Sequence, residues 1–121
     1  MMQATQIKVL FLSVRELAPE LVTTLRQLSW GNFWIDDETR QLTASRHELL
    51  CSEGMLWDLH FRCAVTWTEH DSGIAVTVSV LEPFQSWTEF ECERRLTEII
   101  DRLETVLPPG SEMAVAINCA P

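Results

Sequence analysis

The chain has 121 residues, of which 46% are hydrophobic and 22% are charged, and this balance is typical of one globular domain with a single core. Nine basic residues against eighteen acidic residues give a formal net charge of −9, which would repel a phosphate backbone and argues against nucleic-acid binding. The apolar runs are far shorter than the ~20 residues that span a bilayer, so we expect no membrane insertion.

The first 29 residues predict a strand and a helix. Residues 1–6 lack the features of a signal peptide, so we expect a cytoplasmic protein. The run IKVLFL over residues 7–12 is typical of a strand that is covered on both faces. Leucines recur at helical spacing between residues 17 and 28, which predicts a helix over 18–29. Ser13 and Glu16 fit a capping box, but a helix from there would hold Pro19 in its interior, so we expect the later start.

The next segment predicts a hairpin. Trp30-Gly31-Asn32 should end the helix, because glycine and asparagine tolerate the left-handed conformation. Short strands over 33–35 and 41–45 flank a polar turn over 36–40. The stretch 47–54 is consistent with either a loop or one helical turn.

The strongest pattern is a strict alternation of apolar and polar residues from 57 to 68. A second alternating run covers 74–81 after a turn at 69–73, so the two runs predict a long antiparallel hairpin. The residues predicted to point inward from the first strand are Trp57, Leu59, Phe61, Cys63, Val65 and Trp67.

The C-terminal third predicts a second helix. Pro83 stops the preceding strand, and Ser86 with Glu89 fits a capping box ahead of a helix over about 87–107. We expect Phe90 on the buried stripe of this helix and Arg95 on its solvated face. A proline-rich stop at 108–110 follows, and residues 110–121 form either a tail or an edge strand.

Together these elements predict a single α+β domain over residues 1–121. We expect one antiparallel sheet of about five strands in the order β-α-β-β-β-β-α, with both helices packed on one face. This succession resembles a shortened helix-grip fold, as in the START and polyketide-cyclase-like families, although a full helix-grip domain has more strands and a second short helix near its start. The resemblance implies a cavity between the sheet and the long helix, and it transfers no catalytic residue.

The reverse face of the long hairpin is unusual for so acidic a protein, because its residues are small and uncharged. A second copy of the chain or the C-terminal tail would cover this face, and we expect a homodimer. The predicted interface residues are Ala64, Thr66, Thr68, Ala75, Thr77 and Ser79.

Few residues carry a chemical signature. The stretch His47-Glu48-Leu49-Leu50-Cys51 looks superficially like a metalloprotease helix with Cys for the second His, but it lacks a third ligand and a stable helix, so we predict no metal site. His60, between Asp58 and Arg62, is the best-placed titratable group on a rigid element, although alternating charges along a strand commonly pair without function. The acidic run 36–38 is explained by turn chemistry.

Glycine-rich phosphate loops, nucleophile elbows and C-x-x-C pairs do not occur in the sequence, which holds only four glycines. We therefore assign no catalytic residue and no cofactor. The four widely spaced cysteines, Cys51, Cys63, Cys92 and Cys119, are expected to be reduced thiols.

Two functions follow as hypotheses. The leading one is a non-enzymatic interaction protein, homodimeric and suited by its charge to a basic protein partner. The alternative is a carrier of an apolar small molecule, or a small helix-grip enzyme, with a pocket beneath the second helix. The residues expected to line that pocket are Trp57, Phe61, Cys63, Trp67 and Phe90, although the two tryptophans are most simply core residues.

Overall fold

A computed structural model describes residues 3–9, 14–70, 73–85, 87–106 and 112–116. Within these ranges the elements are β1 (Gln3–Val9), α1 (Val14–Gln27), β2 (Gly31–Asp36), β3 (Gln41–Ser52), β4 (Met55–His70), β5 (Gly73–Leu81), α2 (Glu89–Val106) and β6 (Glu112–Ala116). The strands form one antiparallel sheet in the order β2-β3-β4-β5-β1-β6. The predicted α+β class, with an antiparallel sheet and two helices, is confirmed.

β3 and β4 form a long ribbon that the sequence revealed only in part. The stretch 47–54, which was left open between a loop and a helical turn, continues β3 as far as Ser52. The chain then reverses at Glu53 and Gly54, which both have positive φ (53° and 74°), as a two-residue turn of the tightest hairpin class requires. Pairing runs without interruption from Ser52 with Met55 to Gln41 with Thr66.

The core lies between one face of the sheet and both helices. The predicted alternation in β4 is confirmed: its inward side chains from Leu59 to Trp67 are buried, Trp57 is half-buried, and the outward neighbours are at least partly exposed. Each buried side chain of this size contributes roughly 1.5 to 3 kcal/mol. The core residues that meet across this layer include Leu17, Leu21 and Leu25 of α1, Leu59, Phe61, Val65 and Trp67 of β4, Val76, Val78 and Val80 of β5, and Leu96, Ile99 and Leu103 of α2.

α1 begins at Val14, earlier than predicted, and so contains Pro19. The prediction was wrong because the helix tolerates Pro19 in its second turn, where the proline leaves unmade one backbone hydrogen bond, to the carbonyl of Arg15. The helix ends with Ser29 in the left-handed conformation (φ 70°), where the Ser29 and Trp30 amides donate to the carbonyls of Arg26 and Leu25 at 3.1 and 3.0 Å. Ser13 and residues 10–12 lie outside the described residues.

α2 begins at Glu89, two residues later than predicted, and the Thr88 carbonyl accepts a hydrogen bond from the Cys92 amide at 2.9 Å. The assignments of Phe90 and Arg95 on this helix were wrong. Phe90 is 68% exposed, whereas Arg95 is only 3% exposed. At about 100° per residue, the stripe that contains Cys92 and Ile99 also includes Arg95, and Phe90 falls on the opposite side. Ser86 lies outside the described residues.

The C-terminal segment contributes an edge strand, since β6 pairs with β1. The last residues, 117–121, lie outside the described ranges. No helix in the described part of the chain has the length and apolar character needed to cross a membrane.

Candidate functional site

Two histidines and an aspartate meet on the face of the sheet that points away from the helices, which we call the outer face. His47 of β3 lies directly opposite His60 of β4, and Asp58 points to the same face because it is two residues from His60. The two imidazole rings stack with centroids 4.4 Å apart and an angle of 17° between their planes. We call His47, Asp58 and His60 the His–Asp cluster.

The Asp58 carboxylate bridges the Nε2 atoms of the two stacked rings. Its Oδ1 atom contacts Nε2 of His47, and its Oδ2 atom lies 3.5 Å from Nε2 of His60. One ligand atom from each of the three residues lies within 4.8 Å of the other two, and all three side chains are exposed. The cluster can therefore act as a hydrogen-bonded group or as a set of ligands for a cation.

The segment that follows β5 supports His60 from behind. The His60 amide donates to Oε2 of Glu82 at 2.6 Å, and the edge of the Phe84 ring approaches the His60 ring at 5.7 Å. Glu82 is buried and also accepts hydrogen bonds from the amides of Phe84 and Gln85, the second at 3.1 Å. These contacts hold both the backbone and the ring of His60 in place.

The opposite, inner face of the same ribbon and α2 together form a second polar group around the buried Arg95, which we call the buried charge network (Arg46, Glu48, Glu91, Arg95 and Glu98); only Glu98, at its edge, is exposed. Nε of Arg95 donates to Glu48 at 2.5 Å, and Nη1 donates to the Glu91 carboxylate at 2.7 Å. Arg46 donates to Glu48 at 3.3 Å, to Glu98 at 3.2 Å and to the carbonyl of Leu28 at 2.9 Å. The network thus joins β3, α2 and the end of α1.

Opposing effects set the pKa values of the central pair. Burial acts to raise the pKa of Glu48, but the hydrogen bond from Arg95 and the charges of Arg95, Arg46 and Arg94 outweigh it, so this pKa lies below its usual 4.5. Burial acts to lower the pKa of Arg95, but hydrogen bonds to Glu48 and Glu91 raise it overall. The pair is charged throughout the neutral range. The Arg95 guanidinium also covers the Phe61 ring, with its Cζ atom 4.1 Å from the ring centroid. These contacts hold α2 against the sheet and stabilise the fold.

The predicted ligand-binding residues are distributed over different environments. Phe61, Cys63 and Trp67 are buried in the core, and Trp57 is half-buried with its ring 5.2 Å from that of Trp87. Phe90 is exposed, so its expected position between sheet and helix was wrong.

The predicted interface residues do lie on the outer face. Thr66 and Thr68 are exposed there, whereas Ala64, Thr77 and Ser79 are half-buried and Ala75 is buried. A shallow groove of about 360 Å³ runs over this face between β2 and β5, and its lining includes Asn32, Ser45, Arg62 and Leu81.

The strand geometry decides which residues of the chemical patterns in the sequence lie close together. His47 and Cys51 lie on a strand with Glu48 on the opposite face, so a metalloprotease helix does not form. Asp36 Oδ1 accepts the amides of Glu38 and Thr39 at 3.0 and 3.3 Å, which is the predicted turn role. The sequence identified Asp58 and His60, but it did not show that His47 joins them, because that depends on the register between β3 and β4.

Comparison with known proteins adds no family assignment. A scan against protein-family models gave no match, and a search of the curated proteins gave no significant match.

Proposed function

We propose that this chain is a non-enzymatic interaction protein that binds a second copy of itself through the outer face of its sheet. The observation that carries the proposal is the charge of that face. On the described strands β2 to β5, its charged residues are Asp36, Asp58 and Arg62, although the whole chain carries a net charge of −9. Two copies can therefore approach at this face without bringing their acidic surfaces together.

Exposed apolar side chains support the same surface. Trp34, Leu49 and Leu56 point outward from β2, β3 and β4 and are each at least 65% exposed. Phe84, beside His60, is exposed to a similar extent. Large exposed apolar residues that share one face of a sheet are typical of a protein-binding surface.

The size of the face is also adequate. Six strands spaced ~4.8 Å apart and a nine-residue β5 give a surface of about 24 Å by about 30 Å. This area is close to the ~800 Å² per partner of a standard interface. In such a dimer the acidic residues of the two helices stay outside the interface, where they suit a basic polypeptide as a further partner.

The experiment is a mass measurement by size-exclusion chromatography with light scattering over a range of concentrations. We expect the unmodified chain to have twice the monomer mass, and Thr66→Lys, in the middle of the outer face, to have the monomer mass. Thr97→Lys makes the same change at an exposed position of α2 and should leave the dimer intact. A monomeric unmodified chain, or equal effects of the two variants, would contradict the proposal.

The helix-grip resemblance is a separate proposal about the fold. Two observations support it: β5, the strand before the long helix, pairs with β1, and α2 packs across the inner face of the sheet. The carrier function has weaker support, since Phe61, Cys63 and Trp67 are packed into the core. A cytoplasmic location also stays a prediction, supported by the free thiols of Cys51, Cys63 and Cys92.

A further inference from the structure

We propose that the His–Asp cluster binds a divalent metal ion of the zinc type, with Nε2 of His47, Nε2 of His60 and one carboxylate oxygen of Asp58 as its protein ligands. Two imidazoles and one carboxylate are a common ligand set for zinc, and this number leaves a coordination position for water. The proposal does not depend on the proposed dimer.

The backbone holds the ligands in a suitable arrangement. Asp58 and His60 are two residues apart on β4 and so share one face, while His47 stands opposite on the paired strand β3. Ligands of a tetrahedral zinc ion lie about 3.3 Å from one another, given metal–ligand bonds of about 2 Å. The three ligand atoms are already within 4.8 Å, so small side-chain rotations bring them to that spacing.

His60 is held more firmly than an ordinary surface side chain. Glu82 fixes its backbone amide, and Phe84 packs against its ring. A ligand that is already oriented loses less conformational entropy when the metal binds. Residues outside the ligand set that orient a ligand in this way contribute to metal affinity in known sites.

Some of the surrounding charges oppose a bound cation and others favour one. Arg62 lies two residues beyond His60 on the same face, about 7 Å along the strand, and opposes a cation. The Glu82 carboxylate behind His60 and the net charge of −9 favour one. Asp58 supplies the negative charge in direct contact with the ion.

The test is a zinc titration of the metal-free full chain by calorimetry, with cobalt absorption as a second probe. Cys51 and Cys119 are replaced by serine in every sample, so that neither the exposed thiol of Cys51 nor the thiol of Cys119, which lies outside the described residues, binds zinc. We expect one equivalent of zinc to bind. His47→Gln and Asp58→Asn should each weaken binding at least about tenfold, because loss even of residues that only orient a ligand costs 10- to 100-fold.

The third histidine of the chain provides the matched control. His70 lies ten residues beyond His60 on β4, roughly 33 Å along the strand, so His70→Gln should leave the zinc affinity unchanged. The two altered side chains of the cluster are exposed, and circular dichroism should show that each variant is folded. Absence of saturable zinc binding, binding that survives His47→Gln and Asp58→Asn, or loss of binding in His70→Gln would overturn the proposal.

Discussion

The two faces of the β3–β4 ribbon carry polar clusters in opposite environments. On the outer face, His47, Asp58 and His60 are exposed and interact mainly with one another. On the inner face, Glu48 and Arg95 are enclosed by two strands and a helix and have shifted pKa values. His47 and Glu48 are adjacent in sequence, so the direction in which a side chain points decides whether it is available to a ligand or stabilises the fold.

The largest expected difference between the two faces is in the reactivity of their cysteine thiols. Burial raises the pKa of Cys63 on the inner face from 9.0 to about 12, which makes its thiolate about a thousandfold scarcer at a given pH. Cys51, on the outer face, is exposed. In a Cys119→Ser chain, we expect a thiol reagent at pH 8 to label Cys51 rapidly and Cys63 only after unfolding, as measured by mass spectrometry of the labelled peptides. Equal labelling rates would contradict the assignment of faces.

Neutralising the centre of the buried charge network should destabilise the protein strongly. Arg95→Gln leaves Arg46 as the charged partner of Glu48 and Arg94 as that of Glu91, so we expect a loss of up to the roughly 3 to 5 kcal/mol that breaking a fully buried ion pair costs. Arg94→Gln is the matched control, since its exposed pair with Glu91 is worth about 0 to 1 kcal/mol. Urea denaturation measures both, and similar losses would show that Arg95 is no more important than its exposed neighbour.

The smallest expected effect is a change in pH dependence. The pKa of Glu48 is lower in the folded than in the unfolded chain, so the unfolded chain binds more protons and this carboxylate stabilises the fold above pH 4.5. That contribution is lost as the pH falls through the folded pKa. Glu48→Gln should therefore reduce the decrease in unfolding free energy between pH 5 and pH 3, whereas Glu53→Gln, at the exposed turn, should leave the decrease unchanged. Equal pH profiles for the two variants would exclude this role of Glu48.

The sequence predicted the parts of the fold that depend on a repeating pattern. The period-two alternation of β4 and β5 correctly identified Phe61, Cys63 and Val65 as inward residues. The leucines of α1 at 17, 21 and 25 are likewise buried as their spacing indicated. Such patterns are readable because burial on one face repeats with the period of the element.

The remaining features depend on contacts between distant segments. Arg95 interrupts an apolar stripe and looks solvated in sequence, and its burial is explained by contacts with Glu48 on β3 and Phe61 on β4, which are distant in the chain. The second half of β3 has a weak pattern because one of its faces carries the charge network. The reversal at Glu53-Gly54 is a less common form of the Asn-Gly and Asp-Gly signals, which hid the hairpin and with it the pairing of His47 with His60.

The place of β1 in the sheet has a consequence for biosynthesis. Every residue of β1 pairs with a residue at least 65 positions later in the chain, the nearest pair being Val9 with Ile74, and β6 has β1 as its neighbour in the strand order. At translation rates of about 5 to 20 residues per second, the first strand waits roughly 3 to 13 seconds for its partner to be made. β2, β3 and β4 are consecutive in sequence and can pair in that interval, so the N-terminal strand joins the sheet only after β5 is made and then pairs with the C-terminal strand.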